Sequence, residues 1–485
     1  MSSAVHATAK PFNPTWTLIL ACFGAFMAAL DVVVVSTALP TLQAHLHASL
    51  SDLEWTINAY NLVFACLILT ASALGDRFGR RLFYALGMVV FSAASVGAAL
   101  SNTAGELILA RVIEGAGAAA VLPLSLTLIF AAFPPEKLGG AIGIWGGVTG
   151  LGASTGPVLG GVLIQNASWQ WIFWINVPVG LLVAVFSLRT MRESRGPRPQ
   201  LDPVGLLLVG AGMFGLAWAA VRAPGVGWGS SQVLTGLIGG AAFVAVFLLW
   251  ERRARYPMVP LAYFRVRAFT TANGVVFFVW MSMVGALFLL TQLLQVGMGY
   301  GPMGAGVRML AWVGTPLVVA PAAGMLSQRF GNKPFMLFGA LLQGVGLIWL
   351  ATMIKPGVGY PSLVAPLIVA GIGGAMAFPT IANAVAGSVP MQDSGVASGT
   401  NSALRELGGV FGVAIVAAVF AAHGGYGSRP VFMHGVRPAF FAAGGVSLLG
   451  ALWALWAPSR SAIAAAAGTA VAGQEPALAA AGSTD

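Results

Sequence analysis

Three ionisable residues lie inside strongly apolar stretches of the sequence, namely Asp31, Arg111 and Glu114. Arg111 and Glu114 are three residues apart, so on a helix their side chains would share one face. A carboxyl group among apolar neighbours can take up and release a proton, because burial penalises its charged form. We therefore predict that these three residues form a proton-exchange site. Two plainer interpretations stay open: Arg111 and Glu114 as an ion pair that locks two helices, and Asp31 as a packing acid neutralised by a neighbour.

The composition indicates the kind of element that carries these residues. The chain has 485 residues, of which 58% are hydrophobic and only 8% charged, whereas soluble domains are about a quarter charged. This composition is typical of a protein that crosses a membrane many times. In a membrane helix a central charge costs roughly 2.5–3.5 kcal/mol on insertion scales, so retained charges usually face a polar cavity or a partner.

Apolar runs of about 20 residues are long enough to cross a bilayer as helices. They predict an all-α polytopic membrane protein with fourteen transmembrane helices, at residues 15–38, 53–74, 82–100, 105–130, 139–163, 170–188, 203–221, 231–250, 269–292, 302–326, 334–353, 361–386, 396–421 and 437–457. The predicted organisation is a cytoplasmic N-terminus (1–14), a six-helix half (15–188), basic linkers with two inserted helices (189–268), a second six-helix half (269–457) and a disordered tail (458–485).

The basic residues set the expected orientation. Most of the 24 lysines and arginines fall in alternate loops, including a linker at 189–198 and a basic girdle at 251–267. Because positive loops stay in the cytoplasm, we predict a multi-pass protein of the plasma membrane with both termini cytoplasmic. The linker would contact anionic headgroups, and nucleic acid is excluded as a partner.

An internal repeat divides the chain. Residues 74–81 (LGDRFGRR) are echoed by 326–333 (LSQRFGNK), and 115–123 (GAGAAAVLP) by 371–379 (GIGGAMAFP). Glycines at 139, 143, 152 and 156 are echoed at 395, 399, 408 and 412 in the same order. Parallel repeats of this kind form two halves with the site between them.

Four motifs, in order and on the expected helices, resemble those of the fourteen-helix drug:proton antiporters of the major facilitator superfamily. They are residues 72–81 (SALGDRFGRR), 111–117 (RVIEGAG), 152–161 (GASTGPVLGG) and 169–180 (WQWIFWINVPVG). The resemblance extends from about residue 13 to Pro458 and implies the major facilitator fold. It implies an inner gate loop formed by Asp76, Arg77, Gly79, Arg80 and Arg81, and an antiporter helix motif formed by Gly152, Gly156, Pro157, Gly160 and Gly161.

The sequence departs from the family pattern at several positions. Glu114 stands where glutamine is usual, and Val33 and Ser36 replace a common threonine and asparagine on helix 1. Ser72 and Gln170 replace a leading glycine and an arginine. The departures at Val33, Ser36 and Glu114 would line the cavity, so they bear on the choice of substrate.

Polar and aromatic residues near the middle of several helices are candidates for the wall of a substrate cavity. We predict that the wall includes Trp55, Asn58, Tyr60, Gln292, Arg308, Asn401 and Glu406. For Arg308, snorkelling towards the membrane surface is an equal alternative. Arg405 and Glu406 form either a second embedded pair or a helix end near the surface.

The function that the resemblance implies is export of amphipathic small molecules, such as drugs, antibiotics and dyes, in exchange for protons by alternating access. A dedicated exporter of one metabolite or antibiotic, and a proton-coupled importer, are the alternatives within transport. The sequence has no phosphate-binding loop ending in Gly-Lys-Ser/Thr and no His-Glu-x-x-His motif, which argues against an enzyme. We expect no cofactor and no metal site, and expect a monomer whose partners are the substrate, protons and membrane lipid.

Overall fold

The computed structural model describes residues 13–48, 50–196, 202–254, 257, 261–355, 357–390, 393–425 and 428–459. The predicted N-terminal segment up to residue 12, the tail from residue 460, Arg198 and Arg255 lie outside the described residues. The regular structure within these ranges is helical. The helices are α1 (Pro14–Leu46), α2 (Leu50–Phe78), α3 (Arg80–Ala99), α4 (Ala104–Ala132), α5 (Pro135–Asn166), α6 (Trp171–Trp174), α7 (Asn176–Thr190), α8 (Pro203–Val226), α9 (Ser231–Glu251), α10 (Arg267–Gln292), α11 (Pro302–Val313), α12 (Pro316–Phe330), α13 (Asn332–Met353), α14 (Pro361–Ala386), α15 (Ser394–His423) and α16 (Arg429–Ala454).

A helix is present at each of the fourteen predicted positions. Within the described residues, thirteen helical segments are long and apolar enough to cross a membrane. The helix at the remaining position, the glycine-rich 32-residue α5, is not among these thirteen. The fold is thus the predicted all-α polytopic membrane fold, with helix–helix packing in place of a sheet.

Two predicted helices are broken where the sequence interrupts the backbone hydrogen bonding. The predicted helix 302–326 is divided into α11 and α12, because Pro316 at the start of α12 lacks an amide proton and Gly314 precedes it. The predicted helix 170–188 is divided at Ile175 into the single turn α6 and the longer α7. In addition, α10 continues into a π-helical turn, Leu293–Gly297, before its loop.

The last helix begins earlier than predicted. The sequence predicted the last helix at residues 437–457, whereas α16 begins at Arg429 and includes Arg437 as an exposed residue. Proline at position 2 of α16 favours a helix start there, since its missing amide proton is unpaired at a helix N-terminus anyway. The predicted start of this helix, at residue 437, was therefore eight residues too late.

The two halves pack in the same way, as the repeat predicts. In the first half α1 packs on α5, α4 on α2 and α3, and α7 on α3. In the second half α10 packs on α15, α14 on α12 and α13, and α16 on α13. The echoed glycines make the equivalent contacts. A Cβ at Gly152 would collide with the backbone of Phe26 on α1, and one at Gly408 with the backbone of Phe277 on α10.

The halves meet across an interface in which α5 lies on α12 and α2 lies on α15. We call the end of the bundle that holds Arg77, Arg80 and Lys333 the basic end. Near it, Gly139 of α5 lies against the backbone of Gly324 on α12, and the Ser398 hydroxyl donates to the carbonyl of Pro123 at 3.3 Å. The two halves are therefore in contact at the basic end.

The inserted helices lie at the side of this arrangement. α8 packs against α9, α2 and α15, whereas α9 packs mainly against α8. Only 17% of the apolar window of α9 is buried inside the protein, so most of its side chains face outwards. After the C-terminal end of α9, a short 3-10 helix, Leu261–Arg265, precedes α10.

Candidate functional site

Asp31, Arg111 and Glu114 come together inside the first half. One guanidinium nitrogen, Nη1 of Arg111, donates both to Oδ2 of Asp31 on α1 and, at 2.7 Å, to Oε2 of Glu114 on the same helix. All three side chains are at most 1% exposed. The structure thus places two carboxylates against one guanidinium, a set that is neutral when it holds one proton.

Three further polar groups complete this set, and sequence reasoning did not select them. The Ser95 hydroxyl on α3 donates to Oε1 of Glu114, and Nδ2 of Asn176 on α7 donates to Oδ1 of Asp31 at 3.2 Å. Nε of Arg111 donates to the carbonyl of Thr56 on α2 at 3.2 Å. Five helices therefore contribute to one buried network. Asn176 lies within the motif at 169–180, which could have signalled it, whereas Ser95 is a single hydroxyl in an apolar helix.

Tyr60 covers the network on the side of α2. The guanidinium carbon of Arg111 lies 4.4 Å from the centre of the Tyr60 ring, a cation–π contact. Tyr60 is buried, and its hydroxyl points to the carbonyl of Ala28 at 3.5 Å. Its helix, α2, also packs on α15 of the other half, which carries Glu406. Tyr60 therefore lies on a helix that contacts both the buried network and the second half.

The loop at the basic end is built around a second buried ion pair. Nε of Arg80 donates to Oδ1 of Asp76 at 2.6 Å, and both side chains are nearly inaccessible to solvent. Arg77, in contrast, is exposed and lies over the ring of Phe78. Of the predicted gate residues, Asp76 and Arg80 are thus paired, while Arg77 points away.

Residues 193–194, which follow α7, hold this loop in place through hydrogen bonds. The sequence did not predict this contact. The Glu193 carboxylate accepts from the backbone amides of Arg81 and Leu82 at 2.9 and 3.3 Å, and so caps the N-terminus of α3. The amide of Arg80 donates to the carbonyl of Ser194 at 2.9 Å. Gly79 has φ = 122°, a conformation that side chains rarely adopt, and a Cβ there would lie 2.7 Å from the Glu193 carboxyl carbon.

The predicted antiporter motif provides the contact surface between α5 and α1. Gly152 and Gly156 face Phe26 and Val33, and Gly160 faces Thr37 and Val34. Gly161 instead faces Met303 of the second half, and a Cβ added at Gly161 would lie 3.6 Å from Cβ of Met303. Pro157 lies within α5, and its side chain is not among the described ones. The motif therefore positions α1, and with it Asp31, against α5.

A cluster of aromatic and charged residues lies where the halves meet. Arg405 donates twice to Oε1 of Glu406, at 2.9 and 3.0 Å, and its guanidinium carbon lies 4.8 Å from the Trp280 ring centre. Phe378 stacks between Trp280 and Trp145, the last of which belongs to α5 of the first half. Glu406 is more exposed than Arg405, with 21% against 5% of its side chain accessible. The carboxylate is thus the member of the pair that a molecule between the halves would reach.

Two of the other predicted cavity residues, Arg308 and Asn401, make described contacts away from this cluster. Arg308 donates to the carbonyl of Gly304 at 3.0 Å and stacks on Tyr300 at 3.7 Å, which places it near the end opposite the basic one. Asn401 donates to Asn273 within the second half at 3.2 Å. Trp55, Asn58 and Gln292 are half-buried on α2 and α10.

A sequence profile described as the Major Facilitator Superfamily matches residues 21–315 and 272–479, which together cover most of the chain. The chain belongs to the major facilitator superfamily. A tetracenomycin C resistance and export protein of Streptomyces glaucescens is 35% identical over 429 residues, which cover 87% of this chain and 79% of that protein. The multidrug export protein EmrB of Escherichia coli is 30% identical over 398 residues, covering 81% and 78%.

The fold agrees with solved structures of the superfamily. The human organic anion transporter MFSD10 matches with a TM-score of 0.66 over 92% of this chain and 100% of that chain, at 16% identity. At this identity the match shows the fold alone. The membership and the apolar helices together establish a multi-pass membrane protein of a transporter superfamily.

Proposed function

We propose that this superfamily member exports amphipathic small molecules in exchange for protons, by alternating access across the plasma membrane, with both termini in the cytoplasm. On this proposal the protein works as a monomer without a cofactor. Two named relatives, a tetracenomycin C resistance and export protein and the multidrug export protein EmrB, support the choice of substrate class.

The buried network of Asp31, Arg111 and Glu114 is the observation that carries the proton coupling. Both carboxylates receive their ion pair from the same guanidinium nitrogen. With both acids ionised the set has an excess negative charge in a site that solvent does not reach, and one proton removes that excess. Uptake and release of this proton would change the charge that holds α1 against α4.

Tyr60 and Glu406 offer the connection between the proton site and the substrate. Tyr60 contacts Arg111 in the first half, and its helix α2 packs on α15, which carries Glu406 in the second half. A substrate that engages Glu406 would therefore change the electrostatic environment of the ring that covers the network. Proton and substrate can then compete without binding to the same atoms, because the buried network and Glu406 both influence Tyr60.

The cluster of Arg405, Glu406, Trp280, Phe378 and Trp145 is the proposed substrate surface. The half-buried rings of Trp280 and Phe378 offer flat apolar area, and the buried Trp145 ring stacks on Phe378. Arg405 neutralises Glu406 while no substrate is bound. An amphipathic molecule can place an aromatic part on the rings and a polar part on Glu406. Trp145 comes from the other half, so the surface changes whenever the halves rock.

The test is uptake of a panel of fluorescent dyes and antibiotics into inverted membrane vesicles, with and without a proton gradient. We expect gradient-dependent uptake of several amphipathic compounds, which stops when the gradient is collapsed. Uptake of one compound alone would favour the dedicated exporter. Accumulation only in right-side-out vesicles would overturn export in favour of import.

A further inference from the structure

A cavity of about 810 Å³ lies beside the basic end of α9. One wall comes from the last turn of α9 and the other from the 3-10 helix that leads towards α10. Its described lining residues are Leu248, Arg252, Leu261, Ala262, Phe264 and Arg265. The cavity is thus separate from the network, the gate loop and the interface of the halves.

The lining combines two positive charges with apolar walls. Arg252 and Arg265 face the cavity from opposite walls, and the other described lining residues are uncharged. Neither arginine forms an ion pair with another residue that the structure describes. A ligand that suits these walls has an anionic group and an adjoining apolar part.

The expected position of the cavity in the membrane indicates that such a ligand is a membrane lipid. The cavity lies where α9 ends, after an apolar helix of 21 residues that is long enough to cross the hydrocarbon core. We therefore expect it at the level of the polar headgroups. Leu248 and Leu249 on this last stretch of α9 are 41% and 58% exposed, so the apolar wall continues onto a surface that faces lipid. An acyl chain can follow this surface without leaving the bilayer.

We propose that this cavity binds one anionic phospholipid, with the phosphate between Arg252 and Arg265 and the first methylene groups against Leu248, Leu261 and Phe264. The lipid joins the end of α9 to the 3-10 helix, which ends two residues before α10 begins at Arg267. It therefore connects the inserted helices to the second half. A free phosphate ion would use the two guanidinium groups but not the apolar walls.

Native mass spectrometry of the purified full chain tests the site, with phosphatidylglycerol and phosphatidylcholine of equal chain length as the probes. We expect one phosphatidylglycerol to bind more tightly than phosphatidylcholine, and the double variant Arg252→Gln/Arg265→Gln to weaken its binding at least about tenfold. Arg253→Gln is the matched control, since Arg253 is exposed, adjacent in sequence and not part of the lining. It should keep the parent's binding.

Three results would overturn the proposal. The double variant could retain the preference for phosphatidylglycerol, or Arg253→Gln could lose as much as the double variant, which would indicate a diffuse basic surface. Alternatively, millimolar inorganic phosphate could displace the lipid, which would indicate a site for a soluble anion. If the double variant does not fold in phosphatidylcholine, the same binding measurement is made on the single variant Arg265→Gln. This variant should fold, because Arg265 is exposed on a short 3-10 helix.

Discussion

At the scale of single residues, the proposed proton exchange depends on two buried carboxylates that share one arginine. Arg111 serves two carboxylates, and Ser95 and Asn176 each supply one more hydrogen bond to them. Each acid thus has its own neutral donor in addition to the shared arginine. The contribution of each acid to proton exchange can therefore be tested by changing one acid at a time.

Asp31→Asn should uncouple transport from the proton gradient, because it deletes one titratable group while Asn176 and Arg111 keep polar partners near position 31. Glu114→Gln keeps the shape and also leaves one carboxylate against Arg111, a neutral pair without a proton, so it should lower the number of protons released per substrate as well. The measurement is substrate-induced proton release from proteoliposomes for each variant between about pH 6 and 8. If Asp31→Asn still exchanges protons like the parent, Asp31 is a packing residue and the coupling site lies elsewhere, with Glu406 the next candidate.

Tyr60→Ala should impair coupling more strongly than Tyr60→Phe. The ring lies over Arg111, a contact that contributes about 2 kcal/mol when desolvated, while the hydroxyl makes only a long hydrogen bond of 3.5 Å. Proton release per substrate transported is the measurement, with Tyr60→Phe as the control for the ring. Equal loss in both variants would move the role from the ring to the hydroxyl.

At the scale of elements, close helix packing positions the site. α5 approaches α1 at Gly152, whose added Cβ would meet the backbone of Phe26. Gly408 and Gly412 of α15 lie in the same way against the backbone of α10. Backbone cannot yield as the end of a flexible side chain can. The position of Asp31 on α1 is therefore determined by residues on α5 that carry no chemistry of their own.

Gly152→Ala should reduce folded protein and transport together, since its Cβ would collide with the carbonyl of Phe26. Gly445→Ala on α16 is the matched control, because nothing lies within 4 Å of the added Cβ there. The midpoint of thermal unfolding in detergent measures the difference, and we expect it to fall by several degrees for Gly152→Ala only. Equal midpoints would show that α1 can move away from α5 at little cost.

Asp76→Asn and Gly79→Leu should impair transport without abolishing membrane insertion. The first weakens the ion pair with buried Arg80, and the second forces a side chain into a positive-φ position against Glu193. Transport rate per inserted protein is the measurement. Glu136→Gln, which changes an exposed acid at the start of α5, is the control. Full activity in both loop variants would remove this loop from the mechanism.

At the scale of the whole molecule, two similar halves carry unlike chemistry. The buried proton network belongs to the first half alone, whereas the Arg405–Glu406 pair belongs to the second. The proposed substrate surface needs Trp145 from one half and Phe378 from the other. Rocking of the halves would therefore assemble and separate the substrate surface while the proton network moves as a unit.

The proposed topology places both ends of the chain in the cytoplasm. A reporter enzyme fused after Asp485 should be active only on the cytoplasmic side, because the basic loops are retained there. A matched fusion in the loop after α13, at Lys355, should report the outer face. Reversed signals from these two fusions would contradict the assignment of the basic end to the cytoplasm.

The sequence alone predicted the helices, the repeat and the family, because apolar run length, loop charge and glycine spacing are local properties that need no knowledge of packing. It also selected Asp31, Arg111 and Glu114, since a charge in an apolar run stands out in any membrane protein. Only the tertiary structure decided their partners: Ser95, Asn176 and Thr56 come from three other helices, and no spacing along the chain encodes that meeting. The tertiary structure likewise placed Arg308 near the end opposite the basic one, and Glu193 against the loop at Gly79. Side-chain direction depends on contacts that form only when the helices pack.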